Sequence, residues 1–162
     1  ASLSFSGVAT KAGVSTATIE RLWTSKLDLV TDVVEQLQAL VPVPNTGSLR
    51  HDCEEFMGEL VRVMGAPEIA PVIANLVGEA GRDPDLATAL RTRLVAPRRA
   101  QVIQMLAVGQ ARGELPATAD LAVLADLLVG PVYYRMLVTG EPIDPGLASE
   151  IVDAVLGAVP AT

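Results

Sequence analysis

Apolar residues recur along this chain at alternating steps of three and four, a spacing that admits little besides amphipathic helices. In Leu49, Cys53, Phe56, Leu60 and Val63 the steps run four, three, four, three, the stripe of one helix face. Ile69, Val72, Ile73, Leu76 and Val77 form a second stripe, with Pro67 and Pro71 near its start. Asp83-Pro84-Asp85 reads as an N-cap, a proline at the first helical position and an acidic first turn. Leu86, Leu90 and Leu94 follow at steps of four, and Pro97 is expected to break or kink that helix. Residues 101–112 continue with Val102, Met105 and Leu106 until Gly113. The most apolar run, 118–138, is expected to be interrupted at Gly130-Pro131 and to end at Gly140. Pro145 opens a last helix with Leu147, Ile151, Val152, Val155 and Leu156 on one side. Ala, Leu and Val dominate and aromatics total five, a mixture that suits helices better than sheets. No repeat, low-complexity tract or convincing strand interrupts the pattern, so the expected fold class is all-α.

Composition narrows the function. Half of the 162 residues are hydrophobic, too much apolar surface for a disordered chain. The longest stretch without a charge, 36–49, contains Pro42 and Pro44 and is too short to span a bilayer, so no membrane association is expected. No basic start followed by an apolar run marks a signal peptide. The single Cys53 excludes an internal disulfide and a Cys-rich zinc site and fits a reducing cytosol, where the protein is expected. A net charge of −7 means that nucleic acid can be held only by a local patch. His51 and Glu55 share a helix face but Cys53 points elsewhere, so no metal site closes there. With one histidine, no Gly-x-Ser-x-Gly elbow and no phosphate-cradling loop, no catalytic residues and no cofactor are expected.

The first thirty residues differ in kind. Residues 6–11 can form a short helix, Ala12-Gly13-Val14 a tight turn, and Ser15 caps a second short helix over Thr16–Leu22. Ser25 caps a third that starts at Lys26. Two short helices joined by a glycine turn outline a helix-turn-helix, whose second helix enters the major groove. Thr16, Ala17 and Thr18 at its front are small enough to approach base edges and phosphates closely.

Val8-Ala9-Thr10-Lys11-Ala12-Gly13-Val14-Ser15-Thr16-Ala17-Thr18-Ile19, followed by Arg21, Trp23, Ser25 and Lys26, resembles the helix-turn-helix of TetR-family transcriptional repressors. The run from Gly130-Pro131-Val132-Tyr133-Tyr134-Arg135 through Val138-Thr139-Gly140-Glu141-Pro142 is similar to one branch of that family's C-terminal domain. The resemblance implies an all-helical homodimer that binds operator DNA and is released when a small molecule enters the C-terminal domain. It implies that Thr18 and Lys26 contact phosphates while Thr16, Ala17 and Arg21 lie nearest the bases. Two departures qualify it. Family members carry a complete helix ahead of the one near Phe5, so the likeness covers the module without its first helix. Where the family commonly has tyrosine, this chain has Glu20, a carboxylate that repels phosphates. Residues 1–27 carry Lys11, Arg21 and Lys26 against Glu20, a thin electrostatic footprint.

The expected organisation is a DNA-binding segment over 1–27 and a ligand-binding and dimerisation domain over 28–162. Met57, Met64 and Met105, with Phe56, Tyr133 and Tyr134, are expected to line an apolar pocket for a small apolar effector, the alternative being that they fill the core. Leu121, Leu124, Leu128, Ile151, Val152, Val155 and Leu156 make more apolar stripe than a small core absorbs and are expected at a two-fold, four-helix interface between subunits. The helix starting at Lys26 joins head to ligand domain and is the natural lever. A dimeric ligand- or protein-binding module that no longer binds DNA stands as the alternative.

Overall fold

A computed structural model of the chain describes residues 4–158, and over that range it is all-helical, with no strand. The ends of the two expected domain ranges, 1–3 and 159–162, lie outside the described residues.

Three helices form the N-terminal head: α1 (Phe5–Ala12), α2 (Thr16–Leu22) and α3 (Lys26–Ala39). Ser4 caps α1 by accepting from the Gly7 N–H, and Ser15 caps α2 by accepting from Thr18 N–H at 3.1 Å. Gly13 closes α1 at φ 68°, a left-handed conformation that glycine adopts without steric cost. Ala9 and Ile19 are buried where α1 and α2 pack together, and a hydrogen bond from Trp23 to Asp32 ties α3 to them.

The rest is a bundle built around α4 (Leu49–Met64), which buries all five residues of its three-four stripe. Helix α9 (Gly146–Gly157) runs against it, and α7 (Ala96–Ala111) and α8 (Leu121–Tyr134) complete the packing. At the α4–α7 crossing a Cβ on Gly109 would stand 2.7 Å from Leu49 Cδ2 and 2.8 Å from its Cβ, so only glycine lets the helices approach this closely. α5 (Ile69–Ala80) and α6 (Pro84–Ala89) lie over the end of the bundle nearest α3.

The two prolines are accommodated in different ways. Pro97 does not break its helix: α6 passes into α7 through a π-helical segment, Leu90–Val95, that widens the ladder just ahead of the ring. Widening accommodates the lost N–H donor and the ring's clash with the carbonyl four residues back. The expected interruption at Gly130-Pro131 does not occur either, and α8 continues through Pro131. Leu128 and Val132, both fully buried, flank that point, and burying such side chains at about 1.5–3 kcal/mol each outweighs one lost backbone bond. A second π-helical segment, Arg135–Thr139, follows and ends at Gly140 with φ 70°.

The stripe expected between subunits is largely internal. Leu124, Leu128, Ile151, Val152 and Val155 are buried within the single chain, and Leu121 and Leu156 pack at the edge of the same core. The surplus apolar surface is absorbed by α4 and α7, which the helix-by-helix count did not credit. A different face of α8 is left outward: Val123, Leu127 and Tyr134 are 51, 50 and 59% exposed, with Gly130 between them. By length and composition Leu121–Thr139 could cross a membrane. It is instead a core helix on one side, and its Asp126 is held bidentately by Arg99 at 2.7 and 2.8 Å.

Candidate functional site

The residues expected to meet DNA lie along α2 and, for Lys26, at the start of α3. Ala17, Arg21 and Lys26 are exposed, and Thr16 and Thr18 are half-buried. The Thr18 hydroxyl lies 2.9 Å from Ser15 Oγ, so capping and the expected phosphate contact share one side chain. Glu20 is exposed on the same short helix. The indole of Trp23 donates to Asp32 Oδ2 at 3.1 Å, tying the end of α2 to the second turn of α3. Thr24 Oγ1 donates to the Asp28 carboxylate and Ser25 Oγ accepts from the Asp28 N–H; hydrogen bonding, Thr24's first, holds the Asp28 carboxyl below the usual range, an anion at the positive end of α3.

α3 belongs to two structures at once. The expected domain boundary at 27/28 falls in its first turn. Leu29 is buried and Asp32 accepts from Trp23 of the head, while Leu27, Val30 and Val34 pack with Leu76, Leu86, Leu90 and Leu94 of α5, α6 and the π segment. Near its C-terminal end Gln38 donates its amide to the Leu94 carbonyl at 3.2 Å. At about 1.5 Å per residue the 14-residue helix is roughly 21 Å long, so it reaches from head to bundle.

Beside that end lies a cavity of about 490 Å³, within the range of small-molecule sites. Val34 and Gln38 form one wall, Ile73 and Leu94 a second, and Val129 and Tyr133 a third. A smaller recess of about 80 Å³ extends it towards Phe56, Leu60 and Met64. Of the expected lining residues, Phe56, Met64 and Tyr133 are therefore at the cavity. Met57 is buried in the bundle core, Met105 faces a separate cleft beside Pro42 and Val43, and Tyr134 points outward. One residue along a helix turns the side chain by about 100°, which separates Tyr133 from Tyr134 and Phe56 from Met57.

The sequence reading missed Arg98. It stands in the cavity wall half-buried, its guanidinium 5.1 Å from the centre of the Phe56 ring. It donates to the Val41 carbonyl and, at 3.1 Å, to Gln101 Oε1. Burial lowers its pKa and raises that of Tyr133, whose hydroxyl is mostly desolvated. A signal was present: Arg98 continues the buried stripe Val102 and Met105 at steps of four and three.

The remaining chemistry-bearing side chains do not assemble. His51 is exposed and pairs with Glu55 at 3.5 Å, whereas Cys53 is fully buried, its thiol pushed up to about 12 mainly by burial. Among the described residues no group of three metal-ligating side chains converges.

A helix-turn-helix head joined by a shared helix to a cavity-bearing bundle is the build of a DNA-binding regulator. Residues 43–155 match the family domain described as Tetracyclin repressor-like, C-terminal domain. The chain is 35% identical over 156 residues to the uncharacterized HTH-type transcriptional regulator YdeS of Bacillus subtilis (strain 168), covering 96% of this chain and 78% of that one. It is 30% identical to the DNA-binding transcriptional repressor TetR of Mycobacteroides abscessus, covering 94% of this chain and 80% of the relative. The crystal structure of the TetR family transcription regulator SCO0332 superposes with a TM-score of 0.79 at 33% identity, covering 99% of this chain and 88% of that one. The chain belongs to the TetR family of transcriptional regulators.

Proposed function

We propose that this protein is a homodimeric repressor that binds operator DNA through α2 and releases it when a small molecule occupies the cavity beside α3. The observation that carries the reading is the double packing of α3, whose first half holds the head and whose second half walls the cavity. A ligand between α3 and the π segment would favour a different tilt of α3. A small rotation over roughly 21 Å then displaces the recognition helices against the groove spacing they must match. Thr16, Ala17 and Arg21 would lie nearest the bases, with Thr18 and Lys26 on phosphates.

The subunit interface in this reading uses α8, as in the sequence expectation, but its opposite face. Val123, Leu127, Gly130 and Tyr134 recur at steps of four, three and four on its outside, and a second copy would bury them. A dimeric module without DNA binding is the second reading, favoured by the exposed Glu20 on α2. Titrating the protein on its own upstream DNA at fixed salt separates the two. Saturable, sequence-dependent binding of one dimer per site is expected. Binding no tighter than to unrelated DNA would overturn the repressor reading in favour of the second.

A further inference from the structure

The cavity beside α3 is mostly apolar, and the charges among its few polar lining groups do not balance. Arg99 and Asp126 on its rim satisfy each other, and Arg99 also donates to the Ala122 carbonyl at 3.1 Å. Arg98 has no such partner: no carboxylate of the described residues lies within ion-pair distance of it. Its guanidinium has five donors, of which one goes to Val41 and one to Gln101. The Tyr133 hydroxyl, in the α8 wall of the same cavity, has no hydrogen-bond partner among the described residues. A half-buried cation without a counter-anion is costly, and a hydroxyl beside it with no partner is free to donate. One ligand group answers both.

We infer that the effector is an amphipathic organic acid, with an apolar body seated among Val34, Ile73, Leu94 and Val129 and a carboxylate held by Arg98 and Tyr133. The planar guanidinium fork suits a carboxylate, and the face of Phe56 behind it keeps the fork in place. The inference rests on the proposed ligand role of the cavity and departs from the expectation of a small apolar effector. It also connects ligand to lever. The Val41 carbonyl that Arg98 now holds lies just beyond the end of α3, so a carboxylate drawing Arg98 inward would loosen that attachment.

The test compares three probes of equal shape on the full chain by calorimetry: biphenyl-4-carboxylate, biphenyl-4-methanol and the corresponding aminomethyl cation. The carboxylate is expected to bind about 10- to 100-fold more tightly than the alcohol, the range of a charge-assisted hydrogen bond, with the cation weakest. Arg98→Met should erase that preference while leaving the alcohol's affinity within about threefold. Tyr133→Phe, which removes one oxygen and keeps the ring, should weaken the carboxylate alone by about fivefold and serves if Arg98→Met does not fold. Val129→Trp, which fills the cavity, should abolish binding of all three. Equal binding of carboxylate and alcohol, or a preference that survives Arg98→Met and Tyr133→Phe, overturns the acid inference and leaves the cavity reading standing. Absence of saturable binding by every probe, or binding unaffected by Val129→Trp, overturns the cavity reading and the inference with it.

Discussion

The core around α4 and the cluster beneath α3 are both apolar, yet they are built for opposite ends. Around α4, 22 described residues are buried in one contiguous cluster contributed by every long helix of the bundle. Beneath α3 only Val30, Leu86 and Leu94 are buried, with partly exposed Leu27, Val34, Leu76 and Leu90 around them and the cavity alongside. Close packing fixes the first, since any shift there costs contacts on all sides. The second borders empty space, and α3 can change its tilt at the expense of a few contacts. In the proposed mechanism, stability and response therefore sit in different regions, joined by the π segment whose Leu94 serves both the cluster and the cavity wall.

The largest contrast should come from truncation. Leu128→Ala, at a fully buried position, is expected to cost about 2–5 kcal/mol in denaturant unfolding, whereas Val34→Ala beside the cavity should cost less than about 1 kcal/mol. Similar costs at both sites would erase the distinction between the regions. Gly109→Ala should destabilise by about 1–3 kcal/mol, because the new methyl meets the backbone-proximal part of Leu49 and neither helix can retreat. An unchanged melting midpoint would mean that the α4–α7 crossing gives more readily than its packing implies.

The next effects are on assembly and DNA. Leu127→Arg, on the exposed face of α8, is expected to yield folded monomer in sedimentation, while Leu128→Arg one residue on should unfold the chain by burying a charge. If Leu127→Arg leaves the dimer intact, the outer face of α8 is not the interface. Lys26→Ala should flatten the salt dependence of operator binding by about one phosphate's worth, and Glu20→Tyr should tighten binding by on the order of 1 kcal/mol by replacing a repelled carboxylate with a donor. Weaker binding by Glu20→Tyr would indicate that the carboxylate accepts from a cytosine amino group.

The head was legible because its local chemistry is explicit. Ser15, Ser25 and Gly13 each satisfy a backbone group that no other arrangement serves as well, and the helix bounds follow from them. The stripe of α4 was equally readable, because Arg50, His51, Glu54, Glu55 and Arg62 mark its exposed side. α8 was not. Leu121, Leu124 and Leu128 make one stripe and Val123, Leu127, Gly130 and Tyr134 another, and periodicity cannot tell which of two apolar faces a neighbouring helix takes. Pro97 announced a disturbance, but the form it took depends on Leu94 remaining buried across the widened turn. Arg98 was passed over because arginines are mostly exposed, and only its register with Val102 and Met105 pointed inward.

The claim that α3 transmits cavity occupancy to the head is tested most directly by an inter-subunit distance. Cys53 is buried with its thiol at about 12, so a spin label can be placed on Leu22→Cys at the end of α2 without competition from the native cysteine. Pulsed electron resonance then reads the separation of the two heads with the cavity empty and with biphenyl-4-carboxylate at saturation. The account predicts a change of several ångströms on ligand binding that is lost in Val129→Trp. A distance distribution that stays the same when the cavity is demonstrably filled would contradict it.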